Sequence, residues 1–184
     1  GRLRLFSKVC EAIQHAHQKG IIHRDIKPAN IFLTNNSEIY LIDLGVVTHF
    51  GQNAEFFTQF YSAPEVGSKK LPPVSAASDV YSLGIVLLEM LTGLEAKDLS
   101  GFSTEPAQEV SNTESSKPQV GSLENLEEWL TESPVGLDFI EVIHKATLRQ
   151  PSERYQTVVA FKTAFEAAVE NGERVQTIVE LDGG

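Results

Sequence analysis

The chain has a single cysteine, Cys10, so no disulfide can form within it; a lone thiol suits a reducing compartment, and a cytoplasmic setting is the expectation. Basic residues are scarce: 15 Lys and Arg stand against 25 Asp and Glu, for a net charge of −10. A surface that neutralises nucleic-acid phosphates needs clustered Lys and Arg, so no nucleic-acid partner is expected. Long apolar runs are lacking too. The strongest, Leu83 to Leu91, is broken by Gly84 and Glu89 and falls well short of the roughly 20 residues that cross a bilayer, so no membrane segment is expected. An initial Met and a signal-like segment are missing, and helix-like sequence follows Gly1 almost at once, so the chain reads as a piece of something longer.

What is present is ordinary for a soluble globular protein. With 184 residues, 41% apolar and 22% charged, the composition fits one domain with a sizeable core. Apolar residues recur at helical spacing from Leu3 to Lys19 (Phe6, Val9, Cys10, Ile13, Ala16), with Gly20 as the stop. Residues Ile21 to Asn30 crowd polar and charged groups around Pro28 and predict an irregular loop. Two short runs, Ile31 to Thr34 and Ile39 to Ile42, flank Asn35-Asn36-Ser37-Glu38 and predict a hairpin, the second strand ending at Asp43. Residues 46–71 lack a period but are rich in aromatics, which predicts a structured loop.

A helix from Ala76 to Thr92, capped by Ser75 or Ser78 and stopped by Gly93, is apolar nearly all round and therefore belongs at the centre of the domain. Residues 100–122 shift to Ser, Thr, Glu, Gln and Pro, as expected of a mobile insertion. Order is expected to resume at Leu123 to Leu130, then in helices from Pro134 to Leu148 and from Val158 to Val169, the last capped by Thr157 and closed by Asn171-Gly172. Residues 173–184 read as a linker or tail. The expected fold class is mainly α with a short β-hairpin.

The stretch His23-Arg24-Asp25-Ile26-Lys27-Pro28-Ala29-Asn30, followed by the hairpin and Asp43-Leu44-Gly45, decides the chemistry. It gathers two carboxylates, an ammonium and an amide. Phosphoryl transfer needs such groups: a carboxylate for the attacking hydroxyl, a cation on the transferring phosphoryl group, and hard oxygens for magnesium.

This stretch resembles the catalytic loop of protein kinases, in which Lys follows the Asp of His-Arg-Asp by two residues and Asn follows it by five. The resemblance implies that Asp25 is the catalytic base, that Lys27 contacts the γ-phosphate of ATP, that Asn30 and Asp43 hold Mg, and that Phe32 forms an adenine floor. Lys27-Pro28 resembles the serine/threonine branch, which implies a protein substrate with a Ser or Thr acceptor. Thr58 to Glu65, ending Ala63-Pro64-Glu65, resembles the close of the kinase activation segment (43–65); there Thr58 would support the catalytic loop (21–30) and Glu65 would pair with Arg154.

From the residues alone Arg154 is a solvated charge at a helix entry and Asp79 an acidic group at a helix N-terminus; the resemblance adds that Asp79 hydrogen-bonds the backbone of the catalytic loop. His23 and Arg24 would be structural support, His23 through packing and hydrogen bonding. His15 and His17, two apart on a helix, make a poor metal site.

Some features depart from the family pattern. Leu44 stands where Phe is commonest, Phe57 and Gln59 flank Thr58 where Gly and Pro are usual, and Thr48 is the only hydroxyl between Gly45 and Phe57, with Glu55 a fixed negative charge. The Gly-rich loop and the Lys-bearing strand of the N-terminal lobe are not found. The resemblance therefore implies a kinase C-terminal lobe at 1–172 whose partner is the missing N-terminal lobe. A catalytically silent kinase-like interaction module is the alternative; retained magnesium ligands weigh against it.

Overall fold

The computed structural model describes residues 2–36, 38–42, 60–66, 72–97 and 136–182, and side chains of the last segment over 138–172. Expectations for Asp43, Leu44, Thr48, Glu55, Phe57, Thr58 and Gln59, for the insertion at 100–122 and for a helix at Leu123 to Leu130 lie outside the described residues.

Helix α1 (Arg2–Gln18) buries Phe6, Val9, Cys10, Ile13 and Ala16, the stripe set by the sequence period. It ends in a Schellman turn. Gly20 takes φ 74, which a side chain would resist, its N–H donates to His17 O at 2.9 Å, and Ile21 N–H donates to Ala16 O at 3.0 Å. The chain thereby reverses into the loop of 21–27. A single 3-10 turn, Pro28–Asn30, opens with Pro at its first position, where a missing N–H costs nothing.

Strands β1 (Ile31–Leu33) and β2 (Ile39–Leu41) pair antiparallel with Phe32 opposite Tyr40. The ladder extends one bond further at each end, through Thr34 N to Glu38 O and Ile42 N to Asn30 O, both 3.0 Å. One face of the hairpin is left open to solvent: Phe32 is 53% and Tyr40 56% exposed.

Helix α2 (Ala76–Thr92) is the central element, buried on nearly every side from Ala77 to Leu88. Both candidate caps act together: Ser75 Oγ accepts from Ala77 N–H, and Ser78 Oγ accepts from Ser75 N–H at 3.1 Å, closing a capping box. Gly93, at φ 71, ends the helix. Helices α3 (Gly136–Ala146) and α4 (Val158–Asp182) pack against it, and α1 packs on α2 and α4. Phe6 meets the edges of Phe161 and Phe165, and Phe139 that of Phe165, at centroid distances of 6.1, 5.0 and 5.8 Å.

The described fold is mostly helical with one two-stranded sheet, as the sequence indicates. The end of α4 differs. Asn171 and Gly172 do not close it; the helix runs on to Asp182. Gly in a helix interior costs only about 1 kcal/mol relative to Ala, and the residues after it contain no Pro, so one weak position does not outweigh its helical neighbours.

Candidate active site

The loop after α1 is fixed by a buried carboxylate. Asp79, in the first turn of α2 and 0% exposed, accepts from His23 N–H at Oδ2 and from Arg24 N–H at Oδ1, both at 2.8 Å. Arg24 has φ 68, a left-handed conformation that costs a non-glycine residue about 1–2 kcal/mol. Two amide bonds to a charged acceptor more than offset that cost. The contact of Asp79 with the loop backbone, implied by the resemblance, is thus present. Asp79 Oδ2 is also 2.6 Å from His17 Nε2.

His23 is fully buried, but neither ring nitrogen has a hydrogen-bond partner among the described residues, so here its packing is evident and its hydrogen bonding is not. Ile26, 1% exposed, pins the middle of the loop into the core.

With the backbone so held, Asp25, Lys27 and Asn30 converge. Lys27 Nζ lies 2.7 Å from Asp25 Oδ2, and Asn30 Nδ2 donates to the same oxygen at 3.0 Å and to Asp25 O at 2.8 Å. Asn30 spends only its amide nitrogen in these bonds, which leaves Oδ1, a hard oxygen of the kind magnesium takes, without a hydrogen bond among the described residues. The hairpin closes on this loop through Ile42 N–H, which is bonded to Asn30 O at 3.0 Å; Asp43, the other oxygen donor read from the sequence, lies outside the described residues. Among the described residues no three His, Cys, Asp or Glu side chains form a metal cluster. Phe32 lies on the exposed face of the hairpin.

The expected pair of Glu65 and Arg154 is present and buried. Arg154 Nη1 and Nη2 reach Glu65 Oε1 and Oε2 at 2.7 and 2.9 Å, with both side chains 0% exposed. The remaining guanidinium donors go to the carbonyls of Leu148, Arg149 and Ala77, and the ring of Tyr81 lies 4.9 Å away. Burial alone would push Glu65 up, but the hydrogen bonds from Arg154 and Ser78 prevail and hold its carboxyl below the usual range.

Three contacts escaped the sequence reading: His17 with Asp79, Ser78 Oγ donating to Glu65 Oε1 at 2.7 Å, and Tyr61 donating its hydroxyl to Glu89 at 2.5 Å. Burial, then the bond to Glu89, pushes the Tyr61 hydroxyl well up. Gly20 was the one available signal for the first, since a helix-ending turn brings the last turn of α1 back beside the loop it feeds. Consecutive residues of α2 therefore serve different segments, Ser78 the Glu65 anchor and Asp79 the 23–24 backbone.

The protein kinase domain family matches residues 3–166. The serine/threonine-protein kinase PknB of Mycobacterium tuberculosis H37Rv is 32% identical over 179 residues, covering 93% of this chain and 26% of the relative. The serine/threonine-protein kinase PrkC of Bacillus subtilis 168 is 32% identical over 175 residues, covering 90% and 25% respectively. A probable serine/threonine-protein kinase PknB of Corynebacterium glutamicum is 32% identical over 157 residues, covering 81% and 23%. The chain spans about a quarter of the length of these relatives. With that match across most of its length, the chain belongs to the protein kinase domain family.

Proposed function

We propose that the chain is the C-terminal lobe of a serine/threonine protein kinase, carried by residues 1–172, and that joined to an N-terminal lobe it transfers the γ-phosphate of ATP to a Ser or Thr hydroxyl of a protein. The convergence of Lys27 and Asn30 on one carboxylate oxygen of Asp25 is the observation that carries this reading.

Asp25 accepts the proton of the attacking hydroxyl while the hydroxyl oxygen bonds to the γ-phosphorus and the bond to the departing ADP oxygen breaks. Lys27 holds the transferring phosphoryl group, and its ion pair with Asp25 keeps the two at a fixed separation. Asn30 Oδ1 and the Asp43 carboxylate would hold magnesium, which when bound neutralises charge on the phosphates. Thr58 supports the loop, and Glu65, through Arg154, anchors the end of the activation segment. Phe32 and its neighbours on the open hairpin face form the adenine floor and the seat of the N-terminal lobe; their exposure supports this. A reaction fed by ATP suits the cytoplasm. Among the described residues no helix is long and apolar enough to cross a membrane.

The test is labelled-phosphate transfer from ATP to a generic Ser/Thr substrate, by the full-length protein and by residues 1–184 alone. Transfer by the full-length protein and not by the lobe is expected, because positioning supplies most of the rate. Comparable rates from both would overturn the two-lobe account, and inactivity of the full-length protein with magnesium and ATP would overturn the kinase reading.

A further inference from the structure

We propose that Tyr40 is the residue on which the N-terminal lobe seats, so that the open face of the hairpin is divided between that lobe and the nucleotide; this rests on the kinase reading of Asp25 and Phe32 given above. The hydrogen-bond register fixes the layout. Ile42 N–H bonds to Asn30 O at one end of the ladder and Thr34 N–H to Glu38 O at the other. Hydrogen-bonded pairs recur at every second residue, so Phe32 and Tyr40, midway between, form another such pair. Their side chains stand side by side on Cα atoms about 5.5 Å apart.

Side chains alternate across a strand. Ile31, Leu33 and Ile39 turn toward α1 and α2, where they line an apolar cavity with Phe6, Val9 and Val86. Phe32, Tyr40 and Ile42 take the opposite face, and more than half of each aromatic residue there is left bare.

The two rings are not equally placed toward the catalytic loop. Strand β1 runs on directly from Asn30, so Phe32 lies two residues, about 6.6 Å, from the magnesium-donor end of the loop along one strand. A nucleotide whose phosphates reach Asn30 therefore runs along β1 and stacks its base on Phe32. Tyr40 stands one strand away, about 4.8 Å to the side, on the strand that packs against α1. One base covers one ring, and the second ring is left for protein.

A tyrosine suits that task. Its ring offers apolar area at low entropy cost, and its hydroxyl can bond to a backbone group of the facing surface. The chain spans about a quarter of its relatives' length, which leaves room in a full-length kinase for the lobe that closes over the nucleotide. Tyr40 is thus a positioning residue: it touches no substrate, and it sets how that lobe sits above Phe32.

Hydroxyl-radical footprinting of the full-length protein tests this, read by mass spectrometry at Tyr40 and Phe32 and scaled to the urea-unfolded chain, with and without magnesium and ADP. Interfaces exclude water at their centre, so Tyr40 is expected to oxidise at least about tenfold more slowly than in the unfolded chain, with ADP or without. Phe32 is expected to slow by at least about threefold when ADP binds, because the base then covers it. Tyr40→Thr keeps the strand preference and removes the ring. It is expected to raise KM for ATP about three- to thirtyfold and to change kcat by less than about threefold, because the seated arrangement is less populated until ATP saturates it. Tyr40→Phe keeps the ring, and its KM is expected within about threefold of wild type.

Oxidation of Tyr40 in the nucleotide-free protein at a rate near that of the unfolded chain overturns the proposal, and so does a wild-type KM in Tyr40→Thr. Protection of Tyr40 that arises only with ADP assigns the ring to the nucleotide and overturns the division of the face. If Tyr40→Thr does not fold, the wild-type footprint decides. If Phe32 is indifferent to ADP and no phosphate is transferred, the kinase reading fails, while protection of Tyr40 without nucleotide still supports a protein cover and its absence overturns one.

Discussion

Glu65 and Arg154, 89 residues apart in sequence, meet as a bidentate ion pair with no solvent exposure of either side chain. Such a pair stabilises weakly compared with an apolar core of the same shape, but breaking it strands a buried charge. Glu65→Gln or Arg154→Met alone is expected to cost about 3–5 kcal/mol, and the double variant less than the sum of the two. Urea denaturation of the full-length protein checks this; additive losses would contradict it.

The same pair gives a pH dependence. The bonds from Arg154 and Ser78 hold the folded carboxyl of Glu65 below its ordinary 4.5. A depressed carboxyl stabilises the fold above its unfolded value, and that contribution is lost as pH falls through the folded value. The stability difference between wild type and Glu65→Gln is therefore expected to shrink progressively below pH 4.5. A difference that grows with acidity would contradict the depressed value.

Arg24 supplies a backbone test. At φ 68 a β-branched side chain is crowded and glycine is not, so Arg24→Val is expected to be about 1–2 kcal/mol less stable than Arg24→Gly. Thermal melts of the two variants measure it, and equal stability would mean that the loop is not held left-handed.

Gly84 of α2 lies close against the C-terminal end of α3. A Cβ there would lie 2.9 Å from Thr147 Cγ2 and 3.0 Å from Ala146 Cβ. The helix preference for Ala, worth about 1 kcal/mol, is outweighed by overpacking of about 1–3 kcal/mol, so Gly84→Ala is expected to destabilise. Thr147→Ser, which removes that methyl, should recover part of the loss in the double variant. A more stable Gly84→Ala would show that the helices can part at no cost.

Local features were legible in the sequence because local physics sets them. Both ends of α2, the stripe of α1 and the hairpin follow from caps, period and turn residues, and the order His23, Asp25, Lys27, Asn30 carried the site. The end of α4 is not legible at Asn171-Gly172, because a Gly after Asn is a stop only if the chain beyond it prefers to leave the helix. The contact of His17 with Asp79 is not legible either: its spacing from His15 speaks only against a shared metal, and spacing within one helix cannot reveal a partner 62 residues away. The pairing of Glu65 with Arg154 came from the family resemblance alone.

Asp25→Asn in the full-length protein is the most direct test of the account. The amide keeps the size of the carboxylate but cannot take the proton of the attacking hydroxyl. Labelled-phosphate transfer to a Ser/Thr substrate is measured beside ATP affinity. The account predicts that transfer falls by at least about a hundredfold while ATP affinity changes by less than about threefold. Transfer by Asp25→Asn at the wild-type rate would contradict it.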